Sequence, residues 1–431
     1  MKKVFLLCFI TANVIACAQA QNDVINAKEV QRIESVLASD DMRGRRAGTP
    51  EIDKAAGFIA DEFKKAGLQP LKENSFLQPF VMIRPRLVSV KAEIDKTEIN
   101  ARNIIVNTFE KEVKIDEKSG YDIQYIKAGQ SIRERLQEIL AAKKNMIVFV
   151  DTAFSRNFPR LASFNGQAFS EEKDHNTVVY ILGDYQPKEW MIKAEHTMQE
   201  TKYSNVVGVI PGKSKKNEYV VFSGHYDHLG IARQAVNGDS IYNGANDDAA
   251  GTTAVIMLGN YFKKLNNNER TLVFAAFTAE EIGGFGSQYF SKQFDPARVM
   301  AMFNIEMIGT ESKWGKNSAY ITGFEKTNMG ELLQNNLKGS AFTFHPDPYP
   351  DQNLFYRSDN ATLARLGVPA HTISTSKMDS EPNYHKVTDE VSTLDLENMA
   401  KIIEAIAVSS KTIISGKDTP ARVKPEAVRG F

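Results

Sequence analysis

Cysteine is nearly absent. The 431-residue chain has two, Cys8 and Cys17; both lie near its start, so the remainder can form no disulfide and must draw stability from packing or from a bound metal. Neither sign of charge predominates, since Lys plus Arg and Asp plus Glu number 53 each. That balance gives no global basic field for nucleic acid and no acidic excess of the kind found in disordered tails. There is no internal repeat and no low-complexity block. After the first twenty residues no apolar run approaches the ~20 residues that a membrane-spanning helix needs. What is present is an ordinary globular balance, 42% hydrophobic and 25% charged, in a chain longer than one typical domain of about 150 residues.

The one extended apolar stretch stands at the beginning. MKKVFLLCFITANVIACAQA places Lys2 and Lys3 before an apolar run and then small residues, the pattern of an export signal over residues 1–20. Two processing readings stand side by side. Ala18-Gln19-Ala20 is a site for ordinary cleavage, whereas Val14-Ile15-Ala16-Cys17 resembles a bacterial lipobox that would leave a lipid anchor on Cys17. Either sends the chain out of a bacterial cytoplasm, as a periplasmic, secreted or outer-membrane lipoprotein. Losing Lys2 and Lys3 leaves 51 basic against 53 acidic residues.

Periodicity then sorts the chain. In EIDKAAGFIADEFKKA, residues 51–66, Ala55, Ile59 and Phe63 recur at spacings of four, an amphipathic helix opened by Pro50 and stopped by Gly67. Between residues 76 and 202 short β-like runs such as NMIVFV and NTVVYIL alternate with polar segments and one helix near 131–142, which reads as an inserted β-rich α+β subdomain. From residue 203 the runs NVVGVIPG, NEYVVFSG, TLVFAAF, VMAMFNIEM, SAYITG and VPAHTIS alternate with helical patterns, and Ser392 with Asp395 suits the cap of the last helix. The expected fold is α/β, a mainly parallel mixed sheet with helices on both faces. Residues 21–75 and 203–416 form that domain, and 417–431 a loose tail.

Chemistry-bearing residues gather where these strands end. His225 and Asp227 follow NEYVVFSG, Glu280 and Glu281 follow TLVFAAF, and Glu306 closes VMAMFNIEM. Asp247 and Asp248 precede a helix, and His385 follows the last strand. Taken singly, each has a plainer use: acids cap helix N-termini, and a lone histidine or tyrosine packs. Together, two histidines and several carboxylates beyond the carboxyl ends of one sheet concentrate negative charge that a cation would offset. Imidazole and carboxylate without thiolate suit zinc, with cobalt or manganese as substitutes, and the number of groups suits two ions sharing an aspartate. Asp227 is placed to orient the His225 ring.

These residues resemble a known family, the co-catalytic zinc exopeptidases of clan MH, which include secreted bacterial leucyl aminopeptidases, glutamate carboxypeptidase II and glutaminyl cyclases. LASDDMRGRRAGTP, GHYDHLG, GANDDAAGTTAV, FTAEEIGGFGS, NIEMIG, SDNATLARLGVPA and YHKVTDE occur in the family's order. The resemblance implies a zinc-exopeptidase/phosphorylase-like fold and two Zn2+. It implies that His225 and Glu306 hold one ion, Glu281 and His385 the other, and that Asp247 bridges them. Glu280 would be the general base acting on a metal-bridging water, and Tyr384 would stabilise the oxyanion. The function implied is an exported aminopeptidase acting on peptides with a free N-terminus.

Departures qualify the match. Glu306 stands where many members have Asp, and residues 76–202 lack the glycine-rich pattern of a protease-associated domain. His175, His196, His228, His345 and His371 are expected to be structural. Rival readings are a glutaminyl cyclase, disfavoured by ligands at both metal positions; a carboxypeptidase for acidic C-termini, which needs a basic pocket; and a non-catalytic binding relative, for which Glu280 would be superfluous. Oligomeric state is left open by the sequence.

Overall fold

The computed structural model describes residues 24–424 except 73, 165 and 173–174. The export signal and Cys17 lie outside the described residues. The chain divides into two compact units, Met1–Pro79 with Tyr203–Phe431, and Phe80–Lys202.

The first unit is a mixed α/β layer structure. Its sheet runs in the order Thr343–Pro346, Ser318–Ile321, Ala370–Ser374, Val299–Ile305, Lys215–His225, Arg270–Phe277 and residues 206–210 of Trp190–Ile210. Ala370–Ser374, Val299–Ile305, Lys215–His225 and Arg270–Phe277 are parallel neighbours; residues 206–210 and Ser318–Ile321 join antiparallel. Thr343–Pro346, at the edge, carried no clear apolar signal in the sequence. Every residue of Arg270–Phe277 is buried, as a strand covered on both faces must be. The pleat divides it: Leu272, Phe274 and Ala276 enter one core, and Val273, Ala275 and Phe277 the other.

The larger core lies under the helices Ala27–Leu37, Pro50–Lys65, Ala250–Leu265 and Leu396–Ser409. Its centre is a row of rings from adjacent strands, with Phe222 lying 4.9 Å from Phe303 and 5.5 Å from Phe274. The last long helix is not capped by Ser392 as expected. Val391–Thr393 forms its own short turn, and Asp395 is the cap, accepting the Asn398 N–H at 3.0 Å. Nor are residues 417–424 loose. Val423 is buried, its amide donates to the Gly367 carbonyl at 3.1 Å, and Arg270 donates to the Asp418 carbonyl at 2.8 Å.

The second unit stacks sheets. Asp122–Ile126, Met146–Val150 and Val178–Leu182 are parallel, with Ile104–Asn107 antiparallel at the edge, and the helix Ile132–Ala141 makes the first crossover. Ile147, Phe149, Val179 and Ile181 face a core shared with Val113, Ile115, Ile192 and Ala194 of the antiparallel strands Glu112–Asp116 and residues 191–195.

One buried acid in the first unit couples stability to pH. Glu34, on Ala27–Leu37, is wholly buried, and loss of hydration pushes its carboxyl up to about 8 from an ordinary value of 4.5. Between those values the folded chain keeps a proton that the unfolded chain has released, so stability present at low pH is lost as pH rises through the window. Glu34→Gln should therefore melt several degrees higher than the parent at pH 8 and match it more closely near pH 5. Parallel melting profiles for the two proteins would show that Glu34 ionises at its ordinary pKa.

Candidate metal centre

Three parallel strands deliver the site. Lys215–His225 ends in His225, Val299–Ile305 is followed at once by Glu306, and Arg270–Phe277 leads through Thr278 and Ala279 to Glu280 and Glu281. Ala279, Met307 and His385 have φ of 60°, 53° and 55°. These left-handed turns at non-glycine residues swing the neighbouring side chains out of strand alternation.

The acidic groups split into two kinds. Asp247, Glu280, Glu281 and Glu306 line an open cleft of about 680 Å³, with Tyr384 and His385 on its wall and Tyr320, Leu354 and Met378 as its apolar part. Three other carboxylates hold backbone instead. Asp227 accepts the N–H of Glu280 at 3.1 Å and of Glu281 at 3.4 Å. Asp248 accepts from His225, Gly251 and Met307 at 2.9–3.1 Å. Asp389 accepts from Asn246 at 2.9 Å and Asp247 at 3.0 Å. Gly251 is required by this crowding, because a Cβ there would lie 2.0 Å from the Ile305 carbonyl and 2.4 Å from Asp248 Oδ2. Arg45, also wholly buried, donates to the carbonyls of Tyr226 at 2.8 Å, Asn243 at 2.6 Å and Gly244 at 2.8 Å, joining the His225 and Asp247 loops.

The cleft acids and histidines converge. His225 Nε2 is 3.3 Å from Asp247 Oδ1, and His385 Nε2 is 3.3 Å from Asp247 Oδ2 and 3.2 Å from Glu281 Oε2. Two sets of donor atoms lie within 4.8 Å of one another: His225, Asp247 and Glu306, and His228, Asp247 and Glu281. Asp247 is in both. His228, expected to be structural, is buried with Nδ1 2.7 Å from Glu281 Oε1; its place three residues after His225 in GHYDHLG was the available signal. Asp227 differs from expectation as well. The His225 Nδ1 contacts its main-chain carbonyl at 3.1 Å, with its carboxylate at 3.8 Å, because that carboxylate is engaged by the Glu280 and Glu281 amides. Contact with the carbonyl favours a proton on Nδ1 and leaves Nε2 as a lone-pair donor toward the cleft.

Of the other histidines, His371 is held between Thr327 and the Thr322 carbonyl. His345 stacks on Trp314 at 3.9 Å and His175 lies 4.3 Å from the Phe109 ring, while His196 is buried in the second unit.

Electrostatics describe a centre short of positive charge. Burial pushes Glu306 and Asp227 each up to about 7 and Asp389 up to about 6. Hydrogen bonds to Asp247 and Glu281 push His385 up to about 10. Burial opposes ionisation of Asp247 too, but contact with His225 and the nearby His228 holds it below the usual carboxylate range. Nε2 of His225 and Oε2 of Glu306 are buried without a well-formed hydrogen bond. Unpaired donors of these types, facing one another across a buried acidic cluster, fit divalent cations.

Residues 205–410 match Peptidase family M28. The motifs in the sequence and this match point to the same group of zinc exopeptidases. The M28 segment holds every cleft residue named above, while Arg45 lies upstream. A probable leucine aminopeptidase of Trichophyton verrucosum (strain HKI 0517) is 29% identical over 216 residues, 48% of this chain and 56% of that protein. The chain spans about half the length of several curated relatives it matches. Among solved structures, an aminopeptidase from Aneurinibacillus sp. strain AM-1 superposes with a TM-score of 0.54 at 16% identity, covering 96% of this chain and 98% of its own. BSAP, a zinc aminopeptidase from Bacillus subtilis, gives 0.54 at 18%, covering 92% and 97%. At these identities the superpositions establish the fold.

Proposed function

We propose that this protein is an exported dinuclear zinc aminopeptidase that releases N-terminal residues from peptides. The observation that carries the reading is Asp247, whose carboxylate belongs to both donor sets and touches a histidine through each oxygen. His225 and Glu306 would hold one ion and Glu281 with His385 the other, with His228 buried against Glu281. Bound zinc would supply a Lewis acid for the scissile carbonyl and make the attacking water more acidic. The leucine aminopeptidase named among the relatives supports an N-terminal specificity. The signal-like first twenty residues support export, and no helix among the described residues is long and apolar enough to cross a membrane.

The chain's own groups divide the work. Glu280 lines the cleft, held by the Asp227 clamp on its amide, and its carboxyl is raised well above the ordinary value, chiefly by burial. A more basic carboxylate is suited to take a proton from water and hand it to the leaving amine. Tyr384 stacks on His385 at 4.0 Å, and burial raises its hydroxyl pKa, so it stays protonated and able to donate to the developing oxyanion. Glu306 and Glu280 offer the negative charge that a substrate's free ammonium needs.

This requirement gives the test. Acetylating the N-terminus of a cleaved peptide should abolish hydrolysis, with a loss of at least about a hundredfold in kcat/KM by mass-spectrometric product assay. Equal hydrolysis of free and blocked peptides would exclude an aminopeptidase.

A further inference from the structure

Arg357 lines the cleft immediately before Ser358 and is the one Lys or Arg side chain among the described lining residues. It is exposed at the wall and makes no ion pair among the described residues, where its guanidinium donates one hydrogen bond, to the side-chain oxygen of Gln352 at 3.4 Å. Its neighbour Ser358 accepts from Asn304 at 2.7 Å and lies against Glu306, so the backbone bearing Arg357 is fixed beside the acidic centre. Tyr384 stands on the same wall.

Arg357 adds a fixed positive charge to the wall of a cleft lined by carboxylates. Four carboxylates line it, Asp247, Glu280, Glu281 and Glu306, and two divalent ions would offset them. Arg357 is then a cation with no carboxylate among the described residues in ion-pair contact. A planar guanidinium with free N–H groups pairs best with a carboxylate. A dipeptide extends at most about 7 Å, so its ammonium and its carboxylate stay close together.

We propose that Arg357 binds a carboxylate of the substrate and so selects short or acidic peptides. The inference rests on the peptidase reading and adds a substrate class to it. The carboxylate has two sources, the C-terminus of a dipeptide or an acidic side chain at its N-terminal residue, and paired peptides separate them.

The experiment measures binding rather than turnover, so that it stands apart from catalysis. Zinc-loaded Glu280→Gln protein is titrated calorimetrically with Leu-Gly against Leu-Gly-amide, and with Glu-Gly-amide against Gln-Gly-amide. In at least one pair the acid should bind about five- to tenfold more tightly. That ratio should fall to near one when Arg357→Gln is added, and Arg357→Lys should restore part of it. Preference in the first pair assigns the C-terminal carboxylate, and preference in the second the side chain. Equal affinities in both pairs, or a preference that survives Arg357→Gln, would overturn the proposal. Wild-type protein that cleaves all four peptides with one kcat/KM overturns this inference and leaves the peptidase reading intact; wild-type protein that binds but cleaves none defeats the peptidase reading.

Discussion

Glu280→Gln should lower turnover by about three orders of magnitude while leaving metal content and melting temperature close to those of the parent. Glutamine keeps the shape of the side chain and can accept a hydrogen bond, but it cannot take a proton, and positioned general bases contribute typically 10²–10⁴-fold. The substitution leaves the Asp227 contact to the Glu280 amide in place, because that contact is made by the backbone. KM should change much less than kcat, since the lost interaction belongs to the transition state. Kinetics on protein of measured zinc content checks this. Activity within tenfold of the parent would remove Glu280 from the proton transfer.

Asp247→Asn should cost more stability with metal than without it. The buried Asp247 carboxylate is the one group common to both donor sets. Neutralising it should lower zinc retained after dialysis from two ions per chain to less than one, and turnover with it. Because bound ligand stabilises a fold by mass action, the loaded parent should melt well above the loaded variant. After chelation the difference should narrow to what the contacts of Asp247 with His225 and His385 contribute, because those imidazoles still hold its carboxylate ionised and no bound ion is lost with it. Elemental analysis and melting curves of four samples, parent and variant each loaded and stripped, test the pair of claims. A variant that retains two ions would show that the shared position is not a bridge.

Much of the first unit is written in local pattern. The run TLVFAAF is apolar throughout because Arg270–Phe277 is covered on both faces, and the spacing of Ala55, Ile59 and Phe63 marks one buried face of Pro50–Lys65. Such signals need only neighbours along the chain. Thr343–Pro346 has no comparable signal; its half-exposed pattern follows from its place at the sheet edge. The cap at Asp395 turned on whether three residues closed a separate turn, which the Ser-x-x-Asp spacing does not determine.

The candidate site divides in the same way. Its residue types stand at successive strand ends in GHYDHLG, FTAEEIGG and NIEMIG, where a parallel sheet gathers its functional groups whatever the loops do. Paired acids are ambiguous in sequence, because either member of Asp247-Asp248 can face the cleft. In the fold Asp248 turns inward to three amides and Asp247 outward to two histidines.

By itself, then, the sequence determined the alternation of buried strands and helices, and the carboxylates and imidazoles placed at the strand ends. Both follow from the period of the backbone and the solubility of the side chains. Only the tertiary structure decided which acids hold backbone and which face the cleft, that His228 reaches Glu281, and that Arg357 is the one Lys or Arg among the described residues lining the cleft. Those outcomes depend on distances between residues far apart in the chain, which packing alone sets.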